Sequence, residues 1–431
     1  MSAPPRRRGR PIPVRWSIFA CLFGFGLFGY IQRTGIAIAA EPMMREFHLS
    51  QVVLGWLLTA FLIAYTFFQI PSALLGEYLG ARRTLTLLGG LTILAAAATA
   101  LTPGALGTTA LIAVLLVGRS LLGAAQAGLF PVSSGAIESW FPVRNWGFAQ
   151  GLLTSGIWIG SAVTPPLISA LMLSLGWREA LLAASVPSLA LLIWWQIDAR
   201  DHPAEHPGVD PQELAELASQ PSGGSRERLG FRRIQHVVLD GQLLLVTASY
   251  FLMNYLFYLV TFWSFLYLRE ARHMTTLESG WLTSLPFLAA AAACAGGGRL
   301  GDFLIERIGP AWGMRALAFV ALPCAGGFLW LTAVAGDAYL AIGALCLAFG
   351  ACEVMEGPFW SAAMRLAPAD SMAATAVLNT GGNLGGVVAT PAIAALSANG
   401  QWQAVFVVGA LASFAAAALW IWIDLAHPRG G

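Results

Sequence analysis

QIPSALLGEYLGARR (Gln69–Arg83) and GGRLGDFLIER (Gly297–Arg307) both close a long apolar run with a small residue, an acid and an arginine. Subtracting 225 from the later positions lays Gly280 on Gly55, Trp281 on Trp56, Leu300-Gly301-Asp302 on Leu75-Gly76-Glu77 and Arg307 on Arg82. The same offset carries Gly381 to Gly156, Gly385 to Gly160, Pro391 to Pro166 and Trp402 to Trp177. A chain rich in Ala, Leu and Gly scatters chance matches, but it does not put rare Trp, Pro and acid positions at one shift. The pattern predicts an ancestral duplication related by a constant offset without a gap. Parallel repeats of this kind place a binding site between the halves, near the bilayer midplane.

With 57% apolar residues, 11% charged residues and a mean hydropathy of +0.69 over 431 residues, the chain has too few solvating groups for a soluble fold of its size. Runs able to cross roughly 30 Å of hydrocarbon at about 1.5 Å per residue fall near 16–40, 51–75, 84–101, 109–138, 146–173, 179–198, 241–267, 279–300, 311–335, 338–364, 371–398 and 402–423. The fold class expected is an all-α membrane protein of twelve transmembrane helices in two pseudo-symmetric six-helix bundles. One long polar stretch, with HPAEHPGVDP and SQPSGGS inside it, reads as a cytoplasmic linker over 199–240 between bundles at 1–198 and 241–431. Arg6, Arg7, Arg8, Arg10 and Arg15 precede a first apolar stretch too long for a signal-peptide core, so it reads as an uncleaved span. A twin-arginine export signal is the weaker alternative.

All 24 cations are arginine, set against 22 acids. Arginines cluster in the tail, the central loop and alternate loops, which predicts an inner or plasma membrane protein with both termini cytoplasmic. The near-balanced charge gives no reason to expect a nucleic-acid partner. Cys21, Cys294, Cys324, Cys346 and Cys352 lie in apolar runs without CxxC spacing, and all six histidines fall in loops or tails. No metal, no cofactor and no enzymatic chemistry are expected from that pattern.

The Gln69–Arg83 loop and its echo resemble the signature loop of the major facilitator superfamily, with Glu77 and Ala73 departing from the usual residues. Arg119, Gly123, Gln126 and Pro131, then WFPVRNWGFAQG (Trp140–Gly151), PPL (Pro165–Leu167), GWR (Gly176–Arg178) and NTGGNLGG (Asn379–Gly386), resemble the anion:cation symporter branch of that superfamily. That branch includes carriers of sugar acids and other carboxylates. The resemblance spans almost the whole chain and implies alternating access around an arginine-centred carboxylate site.

Four ionisable residues lie deep in the expected spans: Arg33, Arg119, Glu353 and Glu356. Each costs roughly 2.5–3.5 kcal/mol on insertion scales and so needs a partner or a watery cavity. Arg33 lies eight residues before Glu41 and Arg119 ten after Thr109, so both sit at one depth. Two guanidiniums at one level make a carboxylate clamp, because each offers a planar two-donor fork. The blander alternative is that each arginine snorkels or staples helices through carbonyls. Arg119, Gly123, Gln126 and Phe130 share a helix face, as do Phe251, Tyr255, Tyr258 and Phe262. Tyr255 and Tyr258 are candidate walls or packing residues, and Tyr65 matches a position lining the site in the resembled family. Asn379 and Asn383 face either substrate or a glycine-lined helix contact.

Members of the resembled branch carry acids, tied to proton coupling, where this chain has Gln32 and Gln126. An amide keeps hydrogen-bonding capacity and cannot titrate. Glu353 and Glu356, one turn apart with Phe349 and Trp360, are then either a displaced proton acceptor or a cytoplasmic-side gate or structural pair. The repeat sets Glu353 about 14 Å below Arg119 at 1.5 Å per residue, which predicts no direct ion pair. Glu77, Arg82, Asp302 and Arg307 read as inter-helix latches. The sequence thus predicts a monomeric secondary transporter of a small organic anion, a sugar acid or another carboxylate, with protons as a candidate co-substrate. An exchanger or facilitator without proton coupling, or a non-transporting sensor of the same ligand, stands as the alternative.

Overall fold

The computed structural model describes residues 13–142, 146–218, 239–367 and 371–425. The first six spans are α1 (Val14–Ile38), α3 (Gln51–Leu79), α4 (Ala81–Ala100), the pair α5 (Thr108–Ala127) and α6 (Leu129–Trp140), α7 (Trp146–Leu175) and α8 (Trp177–Asp198). A short helix, α2 (Ala40–Phe47), caps α1, and α9 (Pro211–Ala218) follows α8. The second six are α10 (Gly241–Glu270), α11 (Thr276–Ile308), α12 (Pro310–Val334), the pair α13 (Ala338–Glu353) and α14 (Glu356–Leu366), α15 (Ser371–Ala398) and α16 (Trp402–Leu419). Among the described residues eleven of these spans are long and apolar enough to cross a membrane by hydropathy. The Gly- and Asn-bearing α15, 28 residues long, completes twelve.

Local chemistry starts and stops these helices. Ser50 accepts from the Val53 amide, Asp240 from Leu243 and Asp337 from Leu340, while Thr275 and Glu278 form a reciprocal capping box on α11. Gly80 and Gly309 turn the chain between spans 2 and 3 and spans 8 and 9, each at φ +82°, ψ 161°. Their separation is 309 − 80 = 229, not 225, so the constant offset breaks at this turn. Arg82 therefore begins span 3 whereas Arg307 ends span 8, and the two are not equivalent.

Spans 4 and 10 are each interrupted near their middle. The break follows Gly128 in one and spans Val354 and Met355 in the other, where Met355 N donates to Cys352 O at 3.0 Å in a tightened turn. Because 353 − 128 = 225, the interruption falls at matching points of the two halves, although the sequence pattern reads each as one continuous helix.

Part of the expected linker is packed structure. Glu213 of α9 accepts from the amides of Val14 and Arg15 and pairs with Arg15 Nε at 3.2 Å, capping α1. Trp140 Nε1 donates to Arg200 O, and the His206 ring lies 3.4 Å from Asp198. His206 is thus a buried group rather than a free loop histidine. At the end assigned to the outside, Glu46 accepts from Trp177 Nε1 at 2.6 Å and Arg178 Nη2 at 2.7 Å, and Arg178 also binds the Ala100 and Thr102 carbonyls. The guanidinium beside Glu46 holds its carboxyl below the usual range. This accounts for the GWR motif as a staple among spans 1, 3 and 6.

Contacts between the halves gather at that same end. Glu41 accepts from Arg269 at 2.6 and 3.2 Å, Gln51 bonds Glu270, and Ser284 Oγ donates to Ala162 O at 2.6 Å. A Cβ on Gly55 would fall 2.4 Å from Ala394 Cβ, and one on Gly280 would fall 2.6 Å from Ser169 Oγ, so span pairs 2–11 and 5–8 meet there without a gap.

Candidate functional site

Arg33 projects from α1 into a cage of rings. Its guanidinium carbon lies 5.0 Å from the Tyr30 ring centre and 4.9 Å from those of Phe61 and Tyr65. Nη1 donates to the Tyr30 hydroxyl at 3.3 Å, the Tyr258 hydroxyl faces the same guanidinium, and Nε has no partner. Arg119 of α5 reaches the same level from behind. Its Nη2 donates to Arg33 O at 3.4 Å, its guanidinium carbon lies 5.0 Å from the Phe61 centre, and its Nε too is unpartnered. Arg33 is 3% exposed and Arg119 1%. Among the described residues neither pairs with a carboxylate. The two cations are therefore at one depth, as their positions in the spans predict. They are joined through Phe61 and through the α1 backbone rather than across a void.

Tyr258 begins a polar chain through the second half. Its hydroxyl donates to Asn383 Oδ1 at 2.8 Å, Asn383 Nδ2 donates to Asn379 O at 2.9 Å, and Asn379 Nδ2 donates to Gln69 Oε1 at 3.2 Å. The chain thus runs from span 7 through span 11 to span 2 of the other half. Gly386 makes the seat, since a Cβ there would lie 2.2 Å from the Tyr258 ring.

The acids lie on opposite sides of the span 10 break. Glu353 ends α13, is 1% exposed, and leaves Oε1 without a partner. Glu356 begins α14, and its Oε1 accepts from Tyr250 Oη at 3.0 Å and Trp360 Nε1 at 2.8 Å. Among the described residues no ion pair joins these acids to the arginines, in line with the depth difference read from the repeat.

A model of the Major Facilitator Superfamily matches residues 18–375. The chain belongs to that superfamily. It is 30% identical over 377 residues to the probable sulfoacetate transporter SauU of Cupriavidus necator, covering 85% of this chain and 83% of that one. It is 25% identical to the D-galactonate transporter of Escherichia coli, with 89% of each chain covered. A bacterial homologue of the human lysosomal transporter Spinster, solved inward-facing and unoccupied, superimposes with a TM-score of 0.74 at 17% identity, over 96% of this chain and 98% of that one. These relatives fit the anion branch of the superfamily, and the chain is a multi-pass membrane transporter, not an enzyme.

Within this facilitator the other sequence candidates divide by direction. Gln32, one residue or about 100° from Arg33, turns its amide to Ser185 Oγ at 3.2 Å and packs toward span 6. Gln126 Nε2 donates to Gly29 O at 2.9 Å and staples span 4 to span 1. Tyr255 donates to Val405 O at 3.0 Å, toward span 12 inside its own bundle. Tyr255 and Tyr258 stand about 60° apart around the helix, and that angle is enough to turn Tyr255 into its own bundle while Tyr258 reaches Asn383. Arg82 binds Gln196 O at 2.8 Å through Nη2, and its amide donates to Asp201 Oδ1 at 2.8 Å, tying span 3 to the end of span 6. Arg307 stacks on Phe303 at 5.1 Å. The side chains of Glu77 and Asp302 lie outside the described residues.

Sequence reasoning missed Tyr30, Phe61, Gln69 and Tyr250. Tyr30 and Arg33 stand three apart on one helix, and Phe61 and Tyr65 stand four apart on another, stacked at 5.8 Å and 17°. Both spacings mark shared faces and could have flagged an aromatic cage.

Proposed function

We propose that the chain is a secondary active transporter of a small organic anion, whose carboxylate or sulfonate is held by Arg33 and Arg119. The observation that carries this reading is the pair of buried guanidiniums with unpartnered Nε groups and no carboxylate partner among the described residues. An unpaired arginine in this setting costs roughly 2.5–3.5 kcal/mol unless an anion visits it. Tyr65, Tyr258, Asn379 and Asn383 then present hydroxyls and amides to the rest of the substrate. Gln32, Gln126 and Tyr255 act one layer out by fixing helices 1, 4 and 7. The relatives support this reading through the sulfoacetate and galactonate in their names.

The halves 1–198 and 241–431 rock about this layer, with 199–240 joining them on the cytoplasmic side of an inner or plasma membrane and both termini cytoplasmic. In the present state Glu41–Arg269 and Gln51–Glu270 hold the outer end together, so substrate exchanges with the cytoplasm. At the opposite end Glu77 and Asp302 are the latch residues between helices, while Arg82 ties span 3 to the end of span 6 within its own bundle and Arg307 stacks on Phe303 of its own helix, and one chain suffices. Thermal-shift titration of the purified protein with sulfoacetate, D-galactonate and D-glucuronate tests the anion reading. At least one should raise the melting temperature, since a ligand preferring the native state stabilises it by mass action. No shift with any of them would remove the anion assignment.

Glu353 and Glu356 serve as the proton acceptor. Two close carboxylates shielded from water ionise together only at high cost, so the pair is suited to exchange a proton during the cycle. In proteoliposomes an inward-directed pH gradient should drive accumulation of the bound anion severalfold above equilibrium, and Glu353→Gln or Glu356→Gln should reduce this to simple equilibration. Accumulation that survives both substitutions would remove the proton site from Glu353 and Glu356, whereas wild-type exchange indifferent to the gradient would favour an exchanger without proton coupling.

A further inference from the structure

We infer that the arginine layer takes a dianion, with one negative charge for each guanidinium: a short dicarboxylate or sulfocarboxylate rather than a monocarboxylate. This deepens the reading of Arg33 and Arg119 as the anion site and rests on it. Charge balance decides between the two classes. Arg33 and Arg119 are 3% and 1% exposed, and each keeps an Nε without a partner. A guanidinium stays protonated, so the layer holds two permanent positive charges. The rings of Tyr30, Phe61 and Tyr65 attract Arg33 through their faces but carry no net charge, and Arg119 has only the Phe61 face and the Arg33 carbonyl at 3.4 Å. Carboxylates at the outer end are already engaged, Glu41 by Arg45 and Arg269 and Glu46 by Arg178. At the span 10 break Glu356 is held by Tyr250 and Trp360. Among the described residues no carboxylate pairs with either cation.

The side chain best placed to neutralise Arg119 is an amide. Gln32 and Arg119 line one small cavity inside the first bundle, together with Thr99 and Leu181, and Gln32 carries hydrogen-bonding capacity without charge. The second positive charge is therefore left for the ligand. A monoanion on Arg33 would leave Arg119 uncompensated in a setting shielded from water, where an unpaired charge is costly. The guanidinium carbons lie 4.9 and 5.0 Å from the same Phe61 ring centre, so they are no farther apart than those two distances laid end to end. A ligand with acid groups a few carbons apart puts one on Arg33 and the other in the field of Arg119, which the low local dielectric keeps strong.

Calorimetry at neutral pH on two matched pairs tests this: succinate against succinamate, and sulfoacetate against its carboxamide. Each amide keeps the size and shape of its acid and removes one charge. The wild type should bind the dianion about tenfold or more tighter, the size of one hydrogen bond to a charged group. Gln32→Glu, which sets a carboxylate beside Arg119, should bring the members of a pair within about threefold of each other. Gln32→Ala alters packing without adding charge and should keep the wild-type ratio. Where only one pair binds, that pair decides, and where Gln32→Glu does not fold, the wild-type ratio decides alone. A wild type that binds acid and amide equally, or prefers the amide, overturns the dianion assignment and leaves the anion site standing. So does a preference that Gln32→Glu leaves unchanged, since the second acid group is then read by something other than Arg119. Failure of all four compounds, and of D-galactonate and D-glucuronate as well, would instead strike the anion site itself.

Discussion

Arg33→Ala and Arg119→Ala each abolish the rise in melting temperature that a saturating organic anion gives the wild-type protein, and each weakens anion affinity by about a hundredfold or more. A charge-assisted hydrogen bond contributes about 1.5–3 kcal/mol, and a guanidinium fork offers two to one carboxylate. Each 1.4 kcal/mol is a factor of ten, so loss of one fork reaches the hundredfold range. Arg33→Lys recovers only a small part, since an ammonium is a point charge that does not fit the ring cage or the planar anion in the same way. The empty variants separate binding from folding. Truncating Arg33 removes three ring contacts, worth roughly 0.5–2 kcal/mol each, and also removes an unpaired buried cation costing about as much. The two effects oppose, so the empty Arg→Ala proteins melt close to the wild type. Calorimetry showing undiminished anion binding in both variants would end the arginine assignment.

How much of this arrangement the sequence revealed follows from what periodicity carries. Twelve spans and their duplication were legible because apolar runs and rare residues at one spacing survive in one dimension. The depth of Arg33 and Arg119 was legible for the same reason, since rise per residue converts position into height. Azimuth was harder to read. Tyr255 and Tyr258 read as one wall because both lie on the stripe Phe251, Tyr255, Tyr258, Phe262, yet Tyr255 binds Val405 O and Tyr258 binds Asn383. Gln32 reads as a site residue because it stands where the resembled branch carries an acid, but one helical step from Arg33 turns its amide to Ser185. The breaks at Gly128 and at Val354–Met355 are marked by Pro131 and Pro358, which lack the N–H that would bond the carbonyls of Ala127 and Val354, a signal that the unbroken apolar run overrides when the sequence is read by hydropathy. The Gly80/Gly309 shift is hidden because flanking matches hold the 225 spacing on either side. The docking of 199–218 was hidden by composition. His206, Asp201 and Glu213 look like solvated linker residues until Asp198, the Arg82 amide and the start of α1 supply their partners.

Gly123→Val should cost the protein its fold, and Gly123→Ala should lower both its melting temperature and its anion affinity. A Cβ on Gly123 would stand 2.2 Å from Phe61 O, 3.0 Å from Phe61 C and 3.1 Å from Tyr65 N. All three are backbone atoms, so no rotamer change relieves the clash and α3 must move away from α5. Overpacking of this kind costs about 1–3 kcal/mol for small additions, and a β-branched side chain adds two methyl groups to the same contact. The displaced backbone carries the Phe61 ring that both guanidiniums share and the Tyr65 ring stacked beneath it. Loss of packing and loss of the site therefore arrive together, with affinity falling about tenfold or more for Gly123→Ala if the cage opens by a fraction of an ångström. Gly343→Ala is the matched control, lying in a span with open space where its Cβ would go and gaining helix propensity of about 1 kcal/mol. Melting in detergent and calorimetric titration of the two alanine variants decide the matter. Equal melting temperatures and equal anion affinities for Gly123→Ala and Gly343→Ala would mean that the contact of α3 with α5 does not hold the arginine cage in place.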